Sequence, residues 1–458
     1  MSTAEEQRTR VTVIGAGPAG VHCAGSLASK GFDVTIIDRE IGGNYCRAGS
    51  VISNALLYLT RLYSRFSDKG KNFTKHEGDA EFSFDLKKAS KYIEQVVTKL
   101  RKTFAEDLEE KSIKFLYGSA RFSGKNSITV TTVEGEIEHE FDYCVIATGS
   151  CERDPGFTSS KKFMTIQSFL ENGVIPSSVT VVGGGFVGCE FATIFRRIGC
   201  EVNIIECREN ILNEMDTQIA KKFEEKLKKC RINVVKQTRI VNVEKVGNKS
   251  IIFLENGQKL ESEEIFTAVG RKPCLDGLNI NTAGIKLLED GSVKLTKKLK
   301  TTAKNIYVVG DAAADEMLVN WAYRSADIVS EEIAGTGARV SVSDMPKVLY
   351  LDPEISRIGI TEEQAKEKGI DYSVIKYNYS DLEKSLIQGA QKGYMKVVYD
   401  KKTRKIHGCH VIGEGASHIA TMFSIIMQSG ITIDKISTYV FNHPTYAEVL
   451  SDIASKVK

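Results

Sequence analysis

The sequence predicts an α/β chain: two doubly wound parallel-sheet domains and a smaller C-terminal α+β domain. Three observations predict it. The stretch Val11 to Asp38 (VTVIGAGPAGVHCAGSLASKGFDVTIID) returns without gaps as Val179 to Glu206 (VTVVGGGFVGCEFATIFRRIGCEVNIIE), and self-similarity of this kind marks a repeated supersecondary unit. Each copy runs from an apolar β-branched segment through glycines, a helix-length segment, Gly31 or Gly199 as a stop and a second apolar run to a terminal carboxylate, which is a strand–helix–strand pattern. From about Met345 the character changes to short alternating strands followed by two helical stretches. A length of 458 residues agrees, since domains of about 150 residues put the prior near three.

Each repeat opens on G-x-G-x-x-G, with Gly15, Gly17 and Gly20 in the first copy and Gly183, Gly185 and Gly188 in the second. These glycines permit a tight turn and close backbone approach, so a pyrophosphate can sit on the amides and positive dipole end of the following helix. Asp38 and Glu206 each lie 18 residues past their last glycine, where a carboxylate can accept hydrogen bonds from ribose hydroxyls. Both units therefore read as Rossmann-like nucleotide-binding domains. Two dinucleotide sites imply one tightly held cofactor and one exchanging cosubstrate, and the natural pair is FAD with a nicotinamide nucleotide.

The remaining elements fit around these units. Phe141–Gly149 and Asn305–Asp311 read as apolar strands ending in small residues, with the second nucleotide domain inserted between them from near residue 152 to Lys272. Its stretch Asp216–Cys230 reads as a helix with Ile219, Phe223 and Leu227 on its core face. Beyond Met345, strands are expected at Lys347–Ile360, Tyr372–Tyr379 and Met395–Tyr399, then a turn at Asp400–Lys405 and a strand to about Val411. Helices are expected at Ala416–Ser429 and Tyr446–Lys458, giving a mixed sheet with helices on one face. The resulting division is 1–151 and 273–343 for the first nucleotide domain, 152–272 for the second and 344–458 for the third.

Composition excludes several classes of function. Hydrophobic residues at 42% and charged residues at 26% are those of a globular chain. A net charge of +3 from scattered basic residues gives no reason to invoke nucleic acid or a membrane surface. The ten cysteines contain no C-x-x-C pair, which argues against a metal site or a secreted disulfide framework and leaves core thiols as the reading. Met1–Arg10 is polar, and Gly415–Ile433, a long stretch free of Asp, Glu, Lys and Arg, carries His418 and Gln428. It reads as a buried helix rather than a membrane span, and the expected location is the cytoplasm.

With these elements placed, residues 11–458 resemble the class I pyridine nucleotide-disulfide oxidoreductases. The motifs after the two fingerprints are Ala147-Thr148-Gly149, Ala268-Val269-Gly270-Arg271-Lys272-Pro273, Gly310-Asp311 with Met317-Leu318, Asp352-Pro353-Glu354, and His443-Pro444-Thr445-Tyr446-Ala447-Glu448. The resemblance implies FAD held by Gly15, Gly17, Gly20, Asp38, Gly43, Ala120, Thr148, Gly149, Gly310 and Asp311, with a helix near Met317 and Leu318 pointing its amides at the flavin. It implies NAD(H) held by Gly183, Gly185, Phe186, Gly188, Glu206 and Gly270, with Phe186 either gating the nicotinamide or packing under its helix. NADP(H) is disfavoured because Glu206 repels a 2′-phosphate, although Arg208 stands nearby. A homodimer also follows from the resemblance, the C-terminal domain forming its interface.

The redox centre departs from the family. Where the family reads G-G-T-C-L-N-V-G-C-I-P-S-K, this chain reads Gly42-Gly43-Asn44-Tyr45-Cys46-Arg47-Ala48-Gly49-Ser50-Val51-Ile52-Ser53-Asn54. Tyr45 and Ser50 stand at the two cysteine positions and Asn54 at the lysine. A dithiol relay needs two sulfurs within bonding distance, and neither replacement supplies one. Cys46 is one residue along, turned by about 100° on a helix. Asn54 removes the cation that pairs in the family with the position of Glu190, so a buried Glu190 is expected to hold its proton unless another donor serves it. His443 and Glu448, an acid–base pair acting on the family's thiols across the dimer, are present and either retain a proton-transfer role or order the interface.

Three functions remain open on this reading. The first is an FAD-dependent oxidoreductase passing hydride from NADH to flavin and electrons to a non-disulfide acceptor: a quinone, another nicotinamide, a metal ion, oxygen or a protein. The second is dihydrolipoyl dehydrogenase proper, or a disulfide reductase using Cys46 alone. The third is a catalytically inactive flavoprotein that serves as a binding subunit.

Overall fold

The computed structural model describes residues 8–68, 82–159, 163–313, 316–337, 345–390 and 392–457. The chain forms two compact units, one of residues 1–52, 91–154 and 270–341, the other of 53–90, 155–269 and 342–458. These are coarser than the four expected segments, because the inserted nucleotide segment and the C-terminal segment fall in the same unit. A buried ion pair links them: Lys396 Nζ lies 2.7 Å from Asp216 Oδ2, the two side chains being 1% and 0% exposed. Such a pair is costly to break, since removing one partner strands the other charge away from water.

In the first unit, five strands run in the order Ile306–Val308, Tyr143–Ile146, Arg10–Ile14, Asp33–Asp38, Lys114–Tyr117, and every neighbouring pair is parallel. The strand order reverses beside Arg10–Ile14, and in open parallel sheets a ligand crevice lies at that switch point. Helix Pro18–Ala28 packs against helix Val319–Ile333 through apolar side chains and two hydrogen-bonded contacts, His22 Nε2 to Asp327 at 2.7 Å and Ser26 to Ser330 at 2.8 Å.

The second unit repeats the plan with four parallel strands, Ile232–Val235, Glu201–Ile205, Ser178–Val182 and Glu264–Thr267. Its central register, Val182 against Ile205, reproduces Ile14 against Ile37 in the first. The sequence repeat is thus a repeat of strand register. The expected helix at Asp216–Cys230 is Thr217–Lys229, with the Asp216 carboxylate capping the amides of Gln218 and Ile219, a preferred N-cap arrangement.

Two expectations for the C-terminal segment need correction. Lys347–Ile360 is not one strand but two, Lys347–Leu349 and Ile355–Gly359, paired antiparallel. Pro353 interrupts the run, lacking the N–H that a continuous strand would use. The five-stranded sheet is not mixed: every pair in the order Lys347–Leu349, Ile355–Gly359, Ile406–Ile412, Tyr394–Asp400, Tyr372–Asn378 is antiparallel. Period-2 patterning reports which residues face the core, and strand direction leaves no mark in it. Helices Ala416–Gln428 and Val449–Ser455 share one apolar cluster with this sheet, around Met395, Val397, Phe423 and Leu450. Among the described residues, no helix is long and apolar enough to cross a membrane.

Candidate functional site

The first fingerprint turns on two close approaches. Gly15 adopts φ +112°, and a Cβ there would stand 2.3 Å from the Ala147 carbonyl oxygen; one on Gly20 would stand 1.8 Å from that of Gly15. Only glycine lets strand and helix meet so closely. Gly17, by contrast, has nothing within 4 Å of its missing Cβ, and the helix it caps has Pro18 at its first position and no side-chain cap. The amides and dipole of that helix are therefore open to an anion. Asp38 braces the loop, its Oδ2 accepting from Ala16 N at 2.6 Å and its Oδ1 from Arg39 N at 2.6 Å. A carboxylate has about four acceptor positions, so ribose hydroxyls can still be served.

Around this cradle, Gly43 opens the short helix Gly43–Arg47, its missing Cβ 3.4 Å from Gly17 Cα. Gly310 begins a 3-10 turn, adopts φ +63° and abuts Ala19. Asp311 accepts from Ser150 Oγ at 2.6 Å, and Arg271 holds Ser150 through its hydroxyl at 2.7 Å and its carbonyl at 2.6 Å. Burial raises the Asp311 carboxyl, opposed by the Ser150 hydrogen bond and Arg271. Ser150 and Arg271 are missing from the expected site residues, although each directly follows a motif glycine. The helix expected near Met317 begins at Val319, with half-buried Leu318 as an extended N-cap and no capping side chain. Ala120 lies in strand Ser119–Phe122 opposite Val130.

Two polar groups of the first unit test whether a flavin dinucleotide fits. The buried Thr148 hydroxyl and Trp321 indole N–H have no hydrogen-bond partner among the described residues. Buried polar atoms normally find partners, so the open helix terminus together with these groups is the arrangement a polar cofactor would complete. Trp321, the single tryptophan of the chain, carries no motif signal, and only its position shows it.

At the redox stretch, Tyr45 is half-buried and stacks on Phe104, ring centroids 6.5 Å apart. The helix breaks at Ala48 and Gly49, and Ser50 opens the long helix Ser50–Asp68. Cys46 is 1% exposed, and its sulfur lies 2.7 Å from where a Cβ on Gly42 would be. The Arg101 guanidinium acts on this thiol through its charge and is itself held by Glu40 at 2.8 Å, which also pairs with Arg47 at 3.2 Å. Burial pushes the thiol up, Arg101 pulls it down more weakly, and Glu40 adds to the rise. A reactive cysteine needs an exposed, electropositive setting, and the burial of Cys46 runs against that.

The second fingerprint repeats the geometry. Gly183 has φ +107° and would clash with the Ala268 carbonyl at 2.4 Å, Gly188 would clash with that of Gly183 at 1.9 Å, and Gly185 is open. Half-buried Phe186 is the first residue of the uncapped helix Phe186–Arg197. Glu206, 8% exposed, accepts from Gly184 N at 2.7 Å and Arg208 N at 2.9 Å. Gly270 falls in the first unit, where its carbonyl accepts from Arg153 N at 3.1 Å.

Glu190 is buried on that helix, its carboxyl pushed up to about 7 by burial and eased by a hydrogen bond from the Tyr350 backbone amide. Burial is the cause of the rise, and among the described residues the Tyr350 amide is the one donor that opposes it. His443 and Glu448 meet, Nδ1 to Oε1 at 2.8 Å, while Glu448 Oε2 also accepts from Thr445 N at 2.8 Å. The Glu448 hydrogen bond, then its charge, raises His443. The two side chains are oriented as an acid–base pair, with the imidazole exposed.

The profile of the pyridine nucleotide-disulphide oxidoreductases matches residues 9–326, and that of the same family's dimerisation domain matches residues 345–454. The chain is 28% identical to the dihydrolipoyl dehydrogenase of Buchnera aphidicola over 471 residues, covering 99% of this chain and 96% of that protein. It is 28% identical to the dihydrolipoyl dehydrogenase of Geobacillus stearothermophilus, covering 97% and 95%. Among solved structures, the HOCl-induced flavoprotein disulfide reductase RclA of Escherichia coli superposes with a TM-score of 0.87 at 25% identity, covering 98% of this chain and 100% of that one. LpdA of Mycobacterium tuberculosis has the same fold, with a TM-score of 0.89 at 19% identity, covering 98% and 100%.

Proposed function

Given that the chain belongs to the pyridine nucleotide-disulphide oxidoreductase family, we propose that it is an FAD-dependent NADH oxidoreductase whose electron acceptor is not a disulfide. The observation that carries this reading is the stretch from Gly42 to Asn54, which has tyrosine and serine where the family has its two cysteines. FAD, when bound, accepts a hydride from the nicotinamide and returns the electrons to an acceptor.

The chain's own residues do the rest. The first fingerprint helix, Asp38, Thr148 and Asp311 would hold the flavin dinucleotide; the second fingerprint and Glu206 would hold NADH, the carboxylate disfavouring a 2′-phosphate. The uncapped start of helix Val319–Ile333 supplies amides for negative charge. Tyr45 stacked on Phe104 closes the stretch with an aromatic wall in place of a thiol. Cys46 is turned into the Arg101 and Glu40 cluster and has no part in the electron path. His443, raised by its hydrogen bond to Glu448, is the group that delivers a proton to the acceptor as it takes up electrons.

Steady-state assays with wild type and Cys46→Ser test this. NADH oxidation with a quinone or an artificial dye is expected in both, at rates within about twofold of each other, with lipoamide a poor acceptor. Lipoamide reduction as fast as dye reduction, lost in Cys46→Ser, would overturn the reading in favour of a single-cysteine disulfide reductase.

A further inference from the structure

Six of the ten cysteines are buried, as core thiols should be, but Cys151, Cys230 and Cys274 are half-buried and Cys207 is exposed. Two of these meet, well apart in sequence from the stretch around Cys46. Strands Ser150–Glu152 and Arg271–Pro273 form a two-stranded antiparallel ribbon within the first unit, pairing Ser150 with Pro273 and Cys151 with Lys272. The Cys274 amide extends the ladder by donating to the Gly149 carbonyl at 2.9 Å. In that register Cys151 and Cys274 share a face as diagonal neighbours, near enough for Cys151 to raise the Cys274 thiol.

The ribbon is braced from both sides. Arg271 grips Ser150 at 2.7 and 2.6 Å, and Arg153 donates to the Arg271 carbonyl at 2.7 Å. The two sulfurs are thus presented to each other by a fixed backbone rather than by chance approach of loops. Diagonal neighbours stand about 7–8 Å apart at Cα, slightly beyond the usual disulfide span. Closing the bond needs a small approach of the two strands. These strands also carry the chain into and out of residues 155–269, the segment assigned to the second unit, so the bond would tie together both ends of that insertion.

We propose that Cys151 and Cys274 form a reversible dithiol–disulfide pair that takes a small-molecule disulfide of the glutathione type as its oxidant. Burial and the neighbouring Cys151 raise Cys274, and in the proposed order Cys151, giving up its proton to solvent, attacks the oxidant first. It forms a mixed disulfide and expels one thiolate from the oxidant. Cys274 then loses its proton, attacks the Cys151 sulfur and expels the second. Two protein thiols are oxidised by two electrons, and one small disulfide is reduced to two thiols.

The test incubates the full-length, flavin-loaded protein, carrying Cys207→Ser to remove the exposed competitor, with oxidised glutathione. Peptide mapping by tandem mass spectrometry without reductant is expected to find a Cys151–Cys274 crosslink that dithiothreitol removes. With Cys274→Ser or Cys274→Ala added, the reaction is expected to stop at a glutathionyl adduct on Cys151. Absence of the crosslink in the parent, with its thiols unreacted or carrying separate adducts, would overturn the proposal, as would a crosslink joining Cys151 to any other cysteine.

Discussion

At the residue scale, two titratable groups of the second unit, Glu190 and His443, are both raised, and the effect of each is lost as pH rises. Glu190 has its carboxyl raised to about 7 by burial, above its unfolded value. Its contribution to stability is therefore fully present below the unfolded pKa and is lost as pH rises through about 7, a shift worth about 3 kcal/mol. Glu190→Gln, permanently neutral, should gain up to about 3 kcal/mol over wild type in urea unfolding at pH 8, the gain shrinking toward zero near pH 5. An equal difference at both pH values would show that ionisation is not the cause. His443 is raised chiefly by its hydrogen bond to Glu448, so its protonated form persists to higher pH than a free imidazole. Quinone reduction should fall as pH rises through that value, and Glu448→Gln should move the fall to lower pH. His443→Gln should slow quinone turnover by about 100-fold while leaving NADH-driven flavin bleaching in stopped flow unchanged. If turnover is also unchanged, the pair only orders its surroundings.

At the element scale, the fingerprints were the most legible part of the chain, because their glycines are dictated by contacts between neighbouring backbones. Gly188→Ala places a Cβ 1.9 Å from the Gly183 carbonyl, which a main chain cannot relieve cheaply. We expect it to raise KM for NADH at least about tenfold with flavin content intact, and Gly20→Ala to lower flavin content instead; flavin absorbance per protein and NADH kinetics read both. An alanine at 188 with unaltered KM would remove the second fingerprint from the NADH site. Other elements were less legible. The Lys347–Ile360 run concealed a break at Pro353, and apolar alternation could not report that the C-terminal sheet is antiparallel throughout. The helix start moved from Met317 to Val319 because neither residue is a strong cap, leaving no local signal.

At the scale of the whole molecule, the sequence repeat announced both nucleotide domains, whereas contacts between distant segments stayed hidden. Nothing near Asp216 points to Lys396, nor anything near Cys151 to Cys274, since folding alone brings them together. Ser150 and Arg271 are an intermediate case, visible beside motif glycines but without a stated role until the structure joined them to Asp311. Residues 345–454 match the dimerisation domain, and light scattering should return twice the chain mass of 50.6 kDa; a monomer would contradict that assembly. The central claim is that Tyr45 and Ser50 separate the flavin from thiol chemistry, and anaerobic titration with NADH under visible absorbance tests it most directly. The account predicts complete flavin bleaching by a single NADH equivalent per flavin, with no long-wavelength thiolate-to-flavin band at any point. Such a band, with uptake of a second equivalent and loss of both in Cys46→Ser, would contradict it.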